Sequence, residues 1–241
     1  MKEIYIKTIE VDGVENKKKT NISIIIRTRN EEQWIGHAIQ SILDRLYKPE
    51  IIIIDNNSTD KTLEIVRHFI QEPYLEKSDS KYTDIKIFNI DNYSPGKALN
   101  FGIKKSNRKF IMIMSSHCVL KKINYEKNIK NLKKYLGIFG KQTPIWNGKK
   151  ITKRYIWSHF KNTSEENMFS KLENRYFFHN AISFFEKKNL QKYPFLEILA
   201  GKEDRYWAAD IIKKGKSFLY DPSIEVDHHY TEKGNTWRGI G

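Results

Sequence analysis

The chain has 241 residues, of which 43 are lysine or arginine and 29 are aspartate or glutamate, so its formal net charge is +14. Its apolar runs are strand-sized and fall short of the roughly 20 residues that a membrane-spanning helix needs. The single cysteine excludes an intramolecular disulfide. We therefore expect a globular protein of one large domain or two small ones, in a reducing, cytoplasmic setting.

The first half of the chain predicts strands and helices in alternation. An N-terminal arm over residues 1–20 precedes them. Near-continuous apolar runs rich in isoleucine predict strands buried on both faces. Apolar residues at three- and four-residue spacing predict the first helix, and a proline near the start of the third favours its first turn. The predicted strands are 22–26, 51–54, 85–90 and 109–114, and the predicted helices are 31–46, 61–70 and 95–105.

The second half is less regular, and its predicted elements do not alternate as strictly. Strand, helix, strand repeated in the first half predicts a parallel sheet with right-handed crossovers and helices on both faces. Ligands of such sheets bind beyond the carboxyl ends of the strands. In the second half the predicted strands are 138–142, 182–185, 217–220 and 223–226, and the predicted helices are 164–175 and 203–214.

Five segments together carry a family resemblance. They read SIIIRTRNEE over 23–32, AIQSIL over 38–43, IIIIDNNSTD over 51–60, GKALNFGI over 96–103 and GKEDRYW over 201–207. The chain from about residue 21 to residue 230 resembles the family 2 glycosyltransferases. The resemblance implies a GT-A-like α/β fold, doubly wound around a mostly parallel sheet, with a smaller acceptor-side subregion.

The resemblance also implies an activity. Enzymes of this family transfer a sugar from a nucleotide-sugar donor to an acceptor hydroxyl, usually with inversion. We expect a nucleotide-sugar-binding half over residues 21–120 and an acceptor-binding half with the catalytic base over 121–241. The expected acceptor is a glycan or a lipid-linked glycan in surface polysaccharide, lipopolysaccharide or other glycoconjugate synthesis. The sequence leaves open whether the donor carries UDP, GDP, dTDP or CMP.

Matching positions in the motifs suggest the donor site. By resemblance, Thr28, Asn30 and Glu32 lie beside the nucleotide, Asp55 accepts a hydrogen bond from the base or ribose, and Lys97 lies near the donor phosphates. From the residues alone, Asp55 either binds a ligand or belongs to a capped turn, since the serine, threonine and aspartate that follow it are helix-capping types.

One departure from the family pattern bears on the metal. After the fourth strand the family has Asp-x-Asp, which holds a divalent cation, whereas residues 114–118 read MSSHC and place His117 at the last acid. Imidazole suits Mn²⁺ or Zn²⁺ better than Mg²⁺. Either His117 binds a cation together with His228 or His229, or the reaction needs no metal and protein cations neutralise the leaving group. A CMP-linked acidic sugar is one donor that the missing motif allows.

Glu203 and Asp204 open a predicted helix in the acceptor half. The helix dipole favours an ionised carboxylate there, and an ionised carboxylate within reach of an acceptor hydroxyl serves as a general base. By resemblance Asp204 is the base and Glu203 orients it or binds the acceptor. Without the resemblance both acids are ordinary helix-start residues. Trp146, beside a predicted loop, is a candidate acceptor contact, whereas the helical spacing of Trp207 favours the core.

The positive charge is concentrated in one stretch. Between Lys104 and Arg154 there are 15 basic residues and one acid, Glu126. This stretch either docks on an anionic membrane or acidic glycan, or is a solvated face. Nucleic-acid readers usually carry a recognised motif, and the predicted fold is of another kind, so nucleic acid is disfavoured. We expect a cytoplasmic protein, with peripheral attachment to the inner face of the membrane left open.

Two rival functions fit parts of the sequence. A sugar nucleotidyltransferase would need a glycine-rich basic loop after the first strand, and residues 27–31 have the cations without the glycine. A non-catalytic nucleotide-sugar-binding protein would explain the missing Asp-x-Asp as lost activity. Assays of transfer and hydrolysis with several nucleotide sugars would separate both rivals from a transferase.

Overall fold

The fold is built on one mixed sheet of ten strands, seen in a computed structural model that describes residues 20–71, 84–150, 160–171 and 173–231. Two further short strands form a separate pair. The strands are β1 (Ile22–Thr28), β2 (Glu50–Asp55), β3 (Asp84–Asn89), β4 (Phe110–Ser115), β5 (Cys118–Lys122), β6 (Gly137–Trp146), β7 (Lys149–Lys150), β8 (Glu165–Glu166), β9 (Phe169–Ser170), β10 (Arg175–Tyr176), β11 (Ile182–Glu186) and β12 (Leu219–His229). The helices are α1 (Ile35–Leu43), α2 (Thr62–Gln71), α3 (Pro95–Lys105), α4 (Tyr125–Asn131), α5 (Lys187–Lys192) and α6 (Glu203–Lys213).

The main path of the sheet runs β3-β2-β1-β4-β11-β6-β12-β5. Its first four strands are parallel to one another, as the alternation of strands and helices predicts. Beyond β4 the sheet becomes mixed, because β11 is antiparallel to both β4 and β6 while β12 is parallel to β6. The predicted α/β fold is confirmed, and the carboxyl ends of β1 to β4 meet at one edge.

Both faces of the parallel strands are buried. Ile24 and Ile26 lie in an apolar cluster with residues of α1 and α2, whereas Ile25 lies in a second cluster with residues of α3 and α6. All three isoleucines are fully buried. A fully buried side chain of this size contributes roughly 1.5–3 kcal/mol. The unbroken apolar runs of the sequence thus contribute side chains to both apolar clusters, one on each face of the sheet.

The helix predicted over 164–175 is wrong. Its described residues form the two-residue strands β8, β9 and β10. Asn167 and Asn174 have φ angles of 50° and 49°, in the left-handed region, and a residue in that conformation interrupts a right-handed helix. The two strands predicted over 217–226 form one strand, β12, whose register shifts between Tyr220 and Glu225. The N-terminal arm lies outside the described residues except for Thr20.

Acids from elsewhere in the chain neutralise part of the basic stretch. Its last four residues, 151–154, lie outside the described ranges. The ion pairs are Arg108–Asp84, Lys109–Glu186, Lys121–Asp227, Lys127–Asp221, Lys134–Glu166 and Lys141–Glu225. The surface of this stretch is therefore less positive than its sequence suggests. In the part of the chain that the structure describes, no helix has the length and apolar character needed to cross a membrane.

Candidate active site

The carboxyl ends of β1 and β2 form the floor of a candidate site. The two strands are parallel and in register, so Thr28 pairs with Asp55 where they end. Both residues are almost completely buried, with exposed fractions of 4% and 1%. Among the described residues the Thr28 hydroxyl has no hydrogen-bond partner. It therefore keeps its bonding capacity at the edge of the sheet where ligands of such folds bind.

Asn30 and Ser58 join the loops that follow β1 and β2. Asn30 has a φ of 54°; its backbone N–H donates to the Ser58 hydroxyl at 2.9 Å, and its side-chain oxygen accepts from the Thr59 N–H at 2.8 Å. Asp55 accepts from the backbone N–H and the hydroxyl of Ser58, at 2.9 and 2.6 Å. Asp55 and Asn30 therefore shape the loop pair, and their contact with a nucleotide stays a prediction.

Glu32 braces the start of α2. Its carboxylate accepts from the Lys61 backbone N–H at 2.9 Å, and its own N–H donates to the Asp60 carboxylate at 3.1 Å. The side chain is exposed. The structure places Glu32 on the same edge as Thr28 and Asn30, at the outer side of the joined loops.

Lys97 lies in the first turn of α3. Its ammonium group donates to the backbone carbonyl oxygens of Asp91 and Asn92, at 3.0 and 3.3 Å. The lysine therefore ties down the loop between β3 and α3 in this structure. A contact with donor phosphates would require its ammonium group to exchange these carbonyls for phosphate oxygens.

An ion pair joins the donor edge to the acceptor half. Arg27, near the end of β1, donates to the Glu203 carboxylate at 2.8 Å. Glu203 is the first residue of α6 and is only 5% exposed. A bond between residues so far apart in sequence fixes the start of α6 beside the carboxyl end of β1. Glu203 is thus held beside Asp204, and its predicted role, to orient Asp204 or to bind the acceptor, stays a prediction.

Asp204 is half-buried beside this ion pair. Its carboxylate accepts from the backbone N–H of Asn180 at 3.3 Å and from the N–H of Arg205 at 2.7 Å. Burial, and next the negative charge of Glu203, raise the pKa of Asp204 to about 6, against the opposing effect of the Arg205 N–H. A carboxyl group with such a pKa is ionised near neutrality and is a stronger base than an ordinary aspartate.

His117 and His228 meet at the same edge although 111 residues separate them. Their Nε2 atoms lie 3.0 Å apart, and their rings stack with centroids 4.9 Å apart. The Nδ1 of His117 lies 2.9 Å from the Glu31 carboxylate, and the Nδ1 of His228 lies 2.5 Å from the side-chain oxygen of Gln142. All four residues are less than 10% exposed. Burial, and then the neighbouring histidines, hold the pKa of His228 well below its usual range.

The hydrogen bonds of the two Nδ1 atoms determine whether the two Nε2 atoms carry lone pairs. An ionised carboxylate only accepts, so His117 donates its Nδ1 hydrogen to Glu31; the amide oxygen of Gln142 accepts from His228 in the same way. In neutral rings the two Nε2 lone pairs then face each other, and a proton or a cation between them relieves the repulsion. Metal-ligating histidines usually donate their second N–H in this manner.

This arrangement fits two ligands of an imidazole-preferring cation such as Mn²⁺ or Zn²⁺ better than of Mg²⁺. Within the described ranges, no group of three or more histidine, cysteine, aspartate or glutamate side chains is placed to hold a metal. Among the described residues, further ligands would have to be backbone or neutral oxygen atoms, and a donor phosphate or water could complete the set.

Aromatic side chains line the outer side of the histidine pair. Trp34 stacks on His229 with ring centroids 3.7 Å apart. Trp146 is 54% exposed at the end of β6, and Tyr230 lies edge-on to it at 6.5 Å. An exposed indole ring beside the site suits stacking on a sugar face. Trp207, by contrast, is buried in the core, as its helical spacing predicts.

Sequence reasoning missed four residues of the site: Arg27, Glu31, Gln142 and Asn180. Arg27 and Glu31 both belong to the first motif. Glu31 lies after the end of β1, where the alternation of side chains along a strand no longer predicts which residue is buried. Gln142 and Asn180 contribute through contacts that only the tertiary structure makes. A buried polar residue within a predicted strand, as Gln142 is, would have been the one available signal.

Comparison with known proteins agrees with this fold. The model of the family described as "Glycosyl transferase family 2" matches residues 23–193. The match ends before α6, so it does not include Glu203 or Asp204.

Curated relatives match the chain over less than half of its length. Over 99 residues it is 35% identical to a dolichyl N-acetyl-alpha-D-glucosaminyl phosphate 3-beta-D-2,3-diacetamido-2,3-dideoxy-beta-D-glucuronosyltransferase of Methanococcus voltae, a match that covers 40% of this chain and 29% of that protein. Over 107 residues it is 29% identical to the poly-beta-1,6-N-acetyl-D-glucosamine synthase of Staphylococcus epidermidis, covering 44% and 24%. The matches thus span less than a third of either relative.

Solved structures share the fold. Staphylococcus aureus TarS 1–349 in complex with UDP-GlcNAc superposes with a TM-score of 0.63 at 20% identity, over 88% of this chain and 59% of that chain. The mannosyltransferase PcManGT from Pyrobaculum calidifontis, in complex with GDP-Man and Mn²⁺, gives a TM-score of 0.59 at 14% identity, over 90% and 59%. At these identities the likeness shows the GT-A fold alone.

Proposed function

This chain belongs to glycosyl transferase family 2, and from that premise we propose that it transfers a sugar from a nucleotide-sugar donor to an acceptor hydroxyl with inversion. The observation that carries the proposal is the position of Asp204: a half-buried carboxylate with a pKa of about 6, fixed at the start of α6 beside the carboxyl end of the parallel strands. Relatives named for polysaccharide and glycan synthesis support a glycan or lipid-linked glycan as the acceptor.

In the proposed reaction the Asp204 carboxylate removes the proton of the acceptor hydroxyl. The acceptor oxygen forms a bond to the anomeric carbon as the bond from that carbon to the leaving phosphate oxygen breaks on the opposite face, and the configuration inverts. Glu203, held by Arg27, keeps the neighbouring carboxylate in place and, through its own charge, favours proton uptake by Asp204. Half-burial limits competition from water.

The donor half supplies the nucleotide contacts in this proposal. Thr28 keeps a buried, unpartnered hydroxyl among the described residues, and Asn30 and Asp55 hold the two loops that would enclose the base and ribose. Glu32 lies at their outer side, and Lys97 is the cation near the donor phosphates. A TarS structure in complex with UDP-GlcNAc supports a nucleotide-sugar donor for this fold.

The histidine pair is the proposed cation site. His117 and His228 would hold Mn²⁺ in preference to Mg²⁺, and the cation would supply positive charge next to the leaving phosphate. The complex of PcManGT with Mn²⁺ supports a divalent cation. A metal-independent reaction is the alternative, in which the charge of protein cations such as Lys97 serves the same end.

The location of the protein is also a proposal. We propose a cytoplasmic protein that attaches at the inner face of the membrane through the lysines of the basic stretch that have no ion pair among the described residues, including Lys130 and Lys133. Each lysine near an anionic surface gains roughly 1 kcal/mol.

The deciding experiment measures sugar transfer and donor hydrolysis with UDP-, GDP-, dTDP- and CMP-linked sugars, with Mn²⁺, with Mg²⁺ and with a chelator. We expect transfer from one nucleotide class and a loss of at least about 100-fold in Asp204→Asn. Transfer at a near wild-type rate in a folded Asp204→Asn protein would show that another group is the base. Nucleotidyl transfer, or binding without turnover, would support one of the rival functions.

A further inference from the structure

The segment that leads into α6 is fastened to the N-terminal half of α3. Ser94, the N-cap of α3, donates its hydroxyl to the backbone carbonyl of Glu197 at 2.5 Å. Asn100, inside the helix, accepts from the Phe195 N–H at 3.1 Å and donates to the Phe195 carbonyl at 2.9 Å. One asparagine thus satisfies both backbone groups of Phe195, as a neighbouring strand would.

Gly96 makes the same contact possible by having no side chain. A Cβ built at this position would lie 2.1 Å from the carbonyl oxygen of Leu196 and 2.8 Å from its carbonyl carbon. Both are backbone atoms, so any side chain at residue 96 would push the segment away. The glycine, the serine and the asparagine of one helix therefore grip three consecutive residues, 195–197.

The gripped segment leads into the helix that carries the proposed base. Phe195 is 2% exposed and packs near Trp207 of α6, and the Trp207 indole N–H donates to the Tyr193 carbonyl at 2.9 Å. The residues between the grip and α6 are mostly exposed, and Ile198 is 91% exposed. The grip therefore links the donor-side helix α3 to the acceptor-side wall of the site, in addition to the link from β1 through Arg27 and Glu203.

We propose that Ser94, Gly96 and Asn100 are positioning residues that set the acceptor-side wall by fixing residues 195–202, and that Gly96 and Asn100 do not act on the donor. The proposal rests on the proposed function, in which Asp204 is the base. It explains why the GKALN segment lies at the donor edge while two of its side-chain positions, 96 and 100, face the segment that precedes α6. Loosening the grip would admit water beside the base and misplace the acceptor.

The test compares Asn100→Ala and Gly96→Ala with the matched control Glu197→Ala. Glu197 contributes a carboxylate that also accepts from Asn100 at 2.9 Å, but its removal leaves both bonds to Phe195 intact. In the first two variants we expect kcat for transfer to fall about 10- to 100-fold, the donor KM to change less than about threefold, and the ratio of donor hydrolysis to transfer to rise about tenfold or more. The control should stay near wild type in all three.

Hydrogen exchange supplies a readout that does not depend on turnover. Amides of residues 195–204 should exchange faster in Asn100→Ala, while those of β1 and β2 keep their protection, which also shows that the variant is folded. Ser94→Ala removes one bond of the grip, the one to the Glu197 carbonyl, and also the N-cap bond from the Lys97 N–H. It should give a smaller change of the same kind at residues 195–204.

The outcomes separate the two proposals. Unchanged exchange at 195–204, or a rise in donor KM with an unchanged hydrolysis ratio, would overturn the positioning role. Suppose instead that exchange is faster in Asn100→Ala but neither the wild type nor any variant transfers sugar. That result would support the grip and contradict the proposed function.

Discussion

The substitution Asp204→Asn tests two effects of the Asp204 carboxyl group: its effect on the pH dependence of stability and its effect on the rate of transfer. Burial and the charge of Glu203 raise the pKa of Asp204 to about 6, from an ordinary value of 3.8. A carboxyl whose pKa rises on folding stabilises the protein fully below its unfolded pKa, and this contribution is lost as the pH rises through its folded pKa. The Asp204→Asn variant carries no such proton, so its stability should not show this loss.

The expected magnitude follows from the two pKa values. Between about pH 5 and about pH 8, the free energy of unfolding of the wild type should fall by about 1.4 kcal/mol relative to Asp204→Asn. In a chain of this size that is a relative shift of roughly 3–6 °C in Tm. Over the same range the variant should remain at least about 100-fold below the wild type in transfer. In the wild type, kcat/KM should rise with pH through an apparent pKa of about 6.

Urea unfolding of both proteins at a series of pH values measures the difference, and any constant effect of the amide cancels in the comparison. Asp210→Asn is the matched control, because Asp210 lies on the same helix with a half-exposed carboxylate paired to Lys214. Exposed pairs of this kind contribute at most about 1 kcal/mol. A wild-type protein that gains stability relative to Asp204→Asn as the pH rises would refute the reasoning about burial.

Three further predictions concern stability and docking. Glu50→Gln should lower the free energy of unfolding by about 2 kcal/mol in urea titration, because the fully buried Glu50 carboxylate accepts four hydrogen bonds; a loss under about 0.5 kcal/mol would contradict this. Gly102→Ala should lower Tm although alanine favours helices by about 1 kcal/mol, because its Cβ would lie 2.7 Å from the Ile25 Cγ2; a higher Tm would show that the core yields. The pair Lys130→Glu and Lys133→Glu should weaken sedimentation with anionic vesicles about tenfold or more and leave transfer to a soluble acceptor unchanged; equal sedimentation would mean a solvated face.

The choice of lysines shows how the tertiary structure changes an experiment. By sequence, Lys133 and Lys134 are equivalent members of the basic stretch. In the structure, Lys134 donates to the Glu166 carboxylate and to the Tyr135 hydroxyl, both at 2.9 Å. Reversing its charge would disturb a folded contact as well as a surface charge. Lys130 and Lys133 are exposed, and neither is part of an ion pair among the described residues, so their substitution tests docking alone.

The fold of the first half could be predicted because its signals are local. An unbroken apolar run such as Ile51–Ile54 predicts a strand whose two faces are both buried. A proline near the start of α3 predicts where that helix begins. The helix predicted over 164–175 is wrong because two asparagines in it adopt left-handed backbone conformations. One of them, Asn167, exchanges hydrogen bonds with the distant Phe218, a contact that no local pattern reveals. The predicted roles of Thr28, Asn30 and Asp55 stay predictions about a ligand, although their shared edge is observed.

The sequence alone determined the alternating elements, the edge at which folds of this kind bind ligands, the departure from Asp-x-Asp and the candidate base. Only the tertiary structure decided that His117 faces His228, that Glu31 turns inward while Glu32 stays exposed, and that Asn100 bonds to the backbone of Phe195. Periodicity and capping report on neighbours within a few residues, because those contacts form in any conformation of the local element. Contacts between residues about 100 positions apart depend on how the whole sheet closes, and no local pattern encodes them.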